Sequence, residues 1–307
     1  MLKWVGVLLV VLLAALAIFL IPQHLQIRGV QPTIPTVEEL LGIEHPDGPS
    51  ALYYINSAEQ ALERGALAHS VFVFEWPDGK LFLVDASMRE QQALAFADLM
   101  RNMSGGGEAM LHGNVAQLLG NAASRVAGIG FTHLHIDHTE GVVALCEAIA
   151  SSPLLLQTPY QQSEHNFNTR EGAALLQSSC LKRGELTEGV VWTSEKFPGL
   201  GIIPAGGHTP GSTLFVASIQ GQHYVLSGDI TNAKAAILAD TGKGWVYSNL
   251  LVTEDTQRTA QLREWLRSLV AHEAFTVVVS HDLQDIHASG LPEFSAANAM
   301  MVLEQAQ

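Results

Sequence analysis

A chain of 307 residues, 48% hydrophobic and 15% charged, has material for a large core in one large or two small domains. Its net charge of −14, with His counted neutral, repels phosphate backbones and argues against a nucleic-acid partner. The two cysteines, Cys146 and Cys180, lack metal-type spacing and exclude a disulfide framework; they are expected as isolated buried thiols rather than as a pair.

Trp4 to Ile21 is an unbroken apolar run behind Lys3, and as a helix its 18 residues would span about 27 Å, close to the hydrocarbon thickness of a bilayer. Ala15 and Ala17 lie inside the run, not at a cleavage site after it. An uncleaved transmembrane anchor is therefore favoured over a cleaved signal. Lys3 and the amino terminus keep the short end cytoplasmic, which puts the rest on the extracytoplasmic (periplasmic) side. Residues 1–23 are read as the anchor or signal segment, 24–65 as linker and lead-in with a short helix within 51–67, and 66–307 as one domain. Two β-rich runs, His69 to Trp76 and Lys80 to Asp85, flank Pro77-Asp78-Gly79 and predict a hairpin. Helical patterns follow at 89–101 and 115–126. A short strand over 128–132 leads into a histidine-rich stretch, then come a helix over 142–150, a buried strand over 153–157, and one or two helices within 158–188. Strand-like runs at 190–193, 200–204, 212–218 and 223–226, an amphipathic helix at 262–271 and a buried strand at 275–279 complete the pattern. Two strand-rich halves with helices between them predict an α/β (α+β) chain built as a four-layer αββα sandwich.

The stretch Thr132-His133-Leu134-His135-Ile136-Asp137-His138 holds four potential metal ligands within six residues. Alternation about Leu134 sends both imidazoles to one side of an extended backbone, and Asp137 and His138 follow as the chain turns. Buried, each group would need its own hydrogen-bond partner, whereas one divalent cation satisfies all four. Three more candidates sit at strand ends: His208 in a Gly-Gly-His-Thr-Pro-Gly-Ser segment, Asp229 in Ser-Gly-Asp, and His281 in Ser-His-Asp. Seven ligands suffice for two divalent metals; imidazole with carboxylate suits zinc, with iron and manganese as alternatives. Asp85, at a strand end, either orients a neighbouring group or caps the strand.

Together these motifs resemble the metallo-β-lactamase fold superfamily over roughly residues 66–290. The resemblance implies the αββα fold with metals at one edge. It also implies His133, His135 and His208 on one metal, Asp137, His138 and His281 on the other, Asp229 bridging, and Asp85 behind the ligands. Zinc β-lactamases of the best-known group carry Cys where Asp229 stands, and flavodiiron members carry Glu where His135 stands. The acidic, anchored chain fits an RNA substrate poorly. What is left is hydrolysis of a small-molecule ester, lactone or thioester in the manner of glyoxalase II-type thioesterases and acyl-homoserine lactone lactonases. A metal-bridging hydroxide attacks the carbonyl, and Asp137 and Asp229 act as catalytic groups. Some such lactonases have Tyr three residues after the bridging Asp, where this chain has Asn232. Two other readings stay open: a mononuclear iron persulfide dioxygenase, and an inactive membrane-tethered binding protein. Trp245 and Tyr247 are candidates for a pocket wall, and His69 and His165 for the site mouth.

Overall fold

The computed structural model describes residues 2–63 and 65–295. The strands are β1 (Ala51–Ala61), β2 (Ala66–Glu75), β3 (Leu81–Val84), β4 (Ala109–Leu111), β5 (Val126–Gly130), β6 (Leu154–Leu156), β7 (Lys182–Arg183), β8 (Leu200–Pro204), β9 (Thr213–Ile219), β10 (Gln222–Leu226) and β11 (Phe275–Val278). They form a seven-stranded sheet, β4-β1-β2-β3-β5-β6-β7, and a four-stranded sheet, β11-β10-β9-β8. In the larger sheet β1–β2–β3 is an antiparallel meander, while β3, β5, β6 and β7 run parallel.

Strand alternation creates the layers. From β2, Phe72 and Phe74 point between the sheets and meet Ile202, Phe215 and Ala217 of the second sheet. Their neighbours Val71 and Val73 point outward, into a cluster with Val115, Leu119, Val142 and Leu145. The second sheet likewise turns Ile203, Leu214 and Val216 outward against Leu262, Leu266 and Leu269 of helix Thr256–Val270. This is the αββα order expected. Between the sheets, glycine is required in β5. A Cβ on Gly128 would lie 2.4 Å from the Phe197 ring, and one on Gly130 would lie 2.6 Å from the Phe215 ring.

Three local expectations are corrected. Residues 51–61 are not helical; they form the longest strand, buried along most of its length between β2 and β4. The pattern at 115–126 breaks at Gly120 (φ 54°) into an α-turn, Val115–Leu119, and a 3₁₀ segment, Gly120–Arg125. Residues 190–193 contribute single bridges, Thr187 to Thr193 and Trp192 to Ile202, instead of a strand. The approach segment is also more ordered than a linker. The N-terminal helix runs from Leu2 to Arg28 through Pro22, and Thr36 caps the short helix Val37–Leu41. Arg258 and Trp265 then donate to the carbonyls of Pro32 and Pro35.

Cys146 and Cys180 are a disulfide, contrary to the isolated thiols expected. Helix Val142–Ala148 carries Cys146, and Cys180 follows helix Arg170–Ser178; packing of the two helices against one cluster brings the Cα atoms to 5.6 Å.

Candidate metal centre

β5 ends at Gly130, and the chain then passes through His133 and His135 into a single helical turn, Ile136–Thr139. His208 arrives on the loop between β8 and β9, Asp229 on the loop after β10, and His281 on the loop after β11. All seven predicted ligands converge at this edge. Donor atoms of His133, His135 and His208 form one close group, and those of His133, His138 and Asp229 another. The Asp229 carboxylate lies between the sets: Oδ2 is 3.8 Å from His208 Nε2, and Oδ1 is 3.1 Å from His281 Nε2 and 3.5 Å from His138 Nε2. Asp137 Oδ2 is 3.6 Å from Nε2 of both His138 and His281. His69, expected near the mouth, reaches the centre itself, with Nδ1 3.8 Å from Asp137 Oδ2.

Three histidines are aimed by a contact at the far side of the ring. His138 Nδ1 donates to Asp85 Oδ2 at 2.9 Å, His208 Nδ1 to Glu254 Oε1 at 2.6 Å, and His281 Nδ1 to the Ala68 carbonyl at 2.6 Å. When the rings are neutral that tautomer turns each Nε2 lone pair toward the centre, and a divalent cation would take the place of the proton that the carboxylates otherwise hold on His138. Asp85 is itself held by Thr132, whose backbone N–H and hydroxyl donate to its two oxygens. Its backbone sits at φ 67°, a left-handed conformation Asp tolerates better than most residues.

Sequence reasoning missed Glu254 and Lys243. Lys243 Nζ donates to the Asp229 carbonyl at 2.7 Å and lies 3.5 Å from Glu254 Oε1. Burial would raise the Glu254 carboxyl, but Lys243 and His208 hold it down to about 2.

Buried charge separates the imidazoles. Burial depresses His69 and His135 to about 3 and His133 well below its usual value, so all three are neutral donors. Burial acts on His138 in the same sense, but Asp85, Asp137 and Asp229 outweigh it and hold the ring up to about 10. Burial would also raise Asp137 and Asp229. The facing histidines, with Lys243 for Asp229, keep both below the ordinary carboxylate range. His69 Nδ1, His135 Nε2, His208 Nε2 and Asp229 Oδ1 are buried without a hydrogen-bond partner. Unpartnered buried donors and acceptors are costly, and these are the atom types a divalent cation accepts. The residue set fits metal.

A cavity of about 340 Å³ opens over the centre. His135, Asp137, Asp229 and His281 form its floor; Phe96, Met100, Leu251 and Tyr247 form apolar wall. Tyr247 therefore faces the cavity over the centre. Trp245 is 69% exposed and is not part of the lining of this cavity. His165 is also away from the centre, exposed and hydrogen-bonded to Gln26 of the N-terminal helix.

The sequence model of the metallo-beta-lactamase superfamily matches residues 64–281. No curated protein matches the chain. Among solved structures, an N-acyl homoserine lactone hydrolase with the product N-hexanoyl-L-homoserine at its catalytic metal centre is 17% identical. It covers 78% of this chain and 96% of its own, with a TM-score of 0.57. A mutant of AiiA from B. thuringiensis, with N-decanoyl-L-homoserine at its active site, is 16% identical over 78% and 96% of the two chains, with a TM-score of 0.57. AidC, a dizinc quorum-quenching lactonase, is 14% identical over 75% and 86%, with a TM-score of 0.50.

Proposed function

Because the chain belongs to the metallo-β-lactamase superfamily, we propose that it is a metal-dependent hydrolase that cleaves an ester, lactone or thioester at a two-metal centre, most simply a dizinc one. The observation that carries this reading is the sharing of Asp229 between two groups of imidazoles at the floor of an apolar cavity. His133, His135 and His208 would hold one ion, Asp137, His138 and His281 the other, with Asp229 between. Bound divalent ions supply an acidified water and an electrophile for the carbonyl.

The protein's own residues do the rest. Asp137 is ionised at the cavity floor and orients the attacking water by accepting its hydrogen bond. Asp229, also ionised, takes up a proton at a carboxylate oxygen and passes it to the leaving oxygen or sulfur. Burial, then Asp229, push the Tyr247 phenol well above 10, so it stays protonated and can donate to the substrate's carbonyl oxygen. The apolar walls exclude water and take the acyl part of the substrate.

Helix Lys3–Arg28 is long and apolar enough to cross a membrane, with a mean hydropathy of 3.1 over its most apolar 18-residue stretch. Together with the Cys146–Cys180 disulfide, which belongs in an oxidising compartment, it supports an anchored domain on the extracytoplasmic side.

The test is metal analysis of protein purified without added metal, beside a screen of esters, lactones and thioesters. Two zinc per chain and turnover of one class are expected. Asp137→Ala should abolish that turnover, and retained wild-type kcat refutes its role. One iron per chain would support persulfide oxidation instead. Fully metallated protein at background on the whole screen would support a binding protein.

A further inference from the structure

The N-terminal helix leaves the domain beside the cavity. The Phe19 ring lies 5.0 Å from that of Phe167, Gln23 accepts from the Phe167 N–H, and His24 Nε2 donates to the Asn249 carbonyl at 3.0 Å. Leu20 and Ile27 are buried in this contact region. The two segments that receive the helix also build the cavity: Asn168 and Leu251 both line it, and Asn168 Nδ2 donates to the Leu251 carbonyl at 2.9 Å.

Helix length then sets the height of the domain. Residues 3–16 of the helix are exposed, and Leu20 is the first that is buried. From Leu2 to Ile18 a helix rises about 25 Å, close to the roughly 30 Å of a bilayer's hydrocarbon. The bilayer surface therefore falls near Phe19 and Leu20, where the domain begins. The residues around the cavity mouth suit that position. Leu99, Met103 and Leu251 line the cavity and are 52%, 51% and 39% exposed, and Trp245, Val246 and Leu250, on the same stretch of chain as the wall residue Tyr247, are 69%, 57% and 37% exposed. An apolar rim of this kind marks a membrane or partner contact, and tryptophan favours the headgroup level. Continuity with the spanning helix selects the membrane.

We infer that the cavity mouth opens at the bilayer surface and that the substrate is an acylated amphiphile drawn from the membrane. Its ester end reaches Asp137 and Asp229, and its chain lies along Phe96, Met100 and Leu251. The substrate half of this inference rests on the hydrolase reading; the membrane contact does not.

Full-length protein is reconstituted in phosphatidylcholine vesicles brominated near the headgroup. Quenching is compared between wild type and Trp245→Phe, which isolates Trp245 from Trp4, Trp76, Trp192 and Trp265. Extra quenching in the wild type is expected; equal quenching overturns the membrane contact. In the second arm, Val246→Asp/Leu250→Asp should slow hydrolysis of vesicle-borne p-nitrophenyl palmitate about tenfold, because charge opposes insertion of the rim. Hydrolysis of p-nitrophenyl acetate in water should be unchanged. Equal palmitate rates in the variant and wild type overturn the route from the membrane. If neither ester is cleaved, the substrate assignment falls, and the quenching arm still decides the membrane contact.

Discussion

At the residue scale, the centre depends on side chains that hold the loops bearing its donors. Glu164 is one of these. It is buried, and its Oε2 accepts from the Gly211 N–H at 2.8 Å, bracing the loop that carries His208. Burial pushes the carboxyl up to about 8 from an ordinary 4.5, against the opposing hydrogen bonds of the Gly211 N–H and the Thr209 and Thr169 hydroxyls. Between those values the unfolded chain has lost this proton while the folded chain keeps it. Stability from this group is complete below about 4.5 and is lost as pH rises through about 8. Glu164→Gln keeps the shape without the titration. Thermal melts of both forms at intervals from pH 5 to 8 should show wild-type Tm falling relative to the variant; a constant difference would refute the assignment. The sequence reveals such bracing residues unevenly. Asp85 is legible because it ends a β-rich run. Glu254 is not, because the local pattern marks Asp255, which caps helix Thr256–Val270, while the histidine that Glu254 aims, His208, is 46 residues away.

At the element scale, donor positions are set where one segment touches another's backbone. Gly141 follows the ligand turn, and its N–H donates to the Ser87 carbonyl at 2.8 Å. A Cβ there would lie 2.0 Å from the Ala86 carbonyl oxygen, and the Ala86 N–H bonds to the carbonyl of His138. Gly141→Ala must therefore push the 86–87 loop away from the ligand turn, at a cost of about 1–3 kcal/mol. Lower Tm and lower metal content at fixed free zinc are expected together, and loss of neither would show that the loop yields freely. The same contact logic explains which elements are legible. β2 and β3 flank a turn whose Gly79 takes φ 83°, and they read clearly as a hairpin. β1 does not, because it is buried on both faces and loses the alternation that identifies a half-exposed strand. Its Ala58-Glu-Gln-Ala end then looks helical, and only pairing with β2 and β4 makes it a strand.

At the scale of the whole molecule, the proposed anchor and the disulfide must agree on one compartment. Composition reveals the apolar helix, since nothing but its length and uniformity is needed. The cysteine pairing is invisible from spacing, because it depends on two helices packing on the outer face of the larger sheet. The bond closes a span of 34 residues that begins just after the ligand turn and includes helices Pro159–Ser163 and Arg170–Ser178. On chain-entropy grounds it stabilises the fold by about 3–4 kcal/mol. Protein extracted from membranes in the presence of a thiol-blocking reagent, then denatured, should release no free thiol until it is reduced. Cys146→Ser/Cys180→Ser should melt at a lower temperature than wild type, and dithiothreitol should lower the melting point of the wild type alone. Two blocked thiols in the freshly extracted protein would oppose both the pairing and the extracytoplasmic side, because cytoplasmic reductants keep such thiols open.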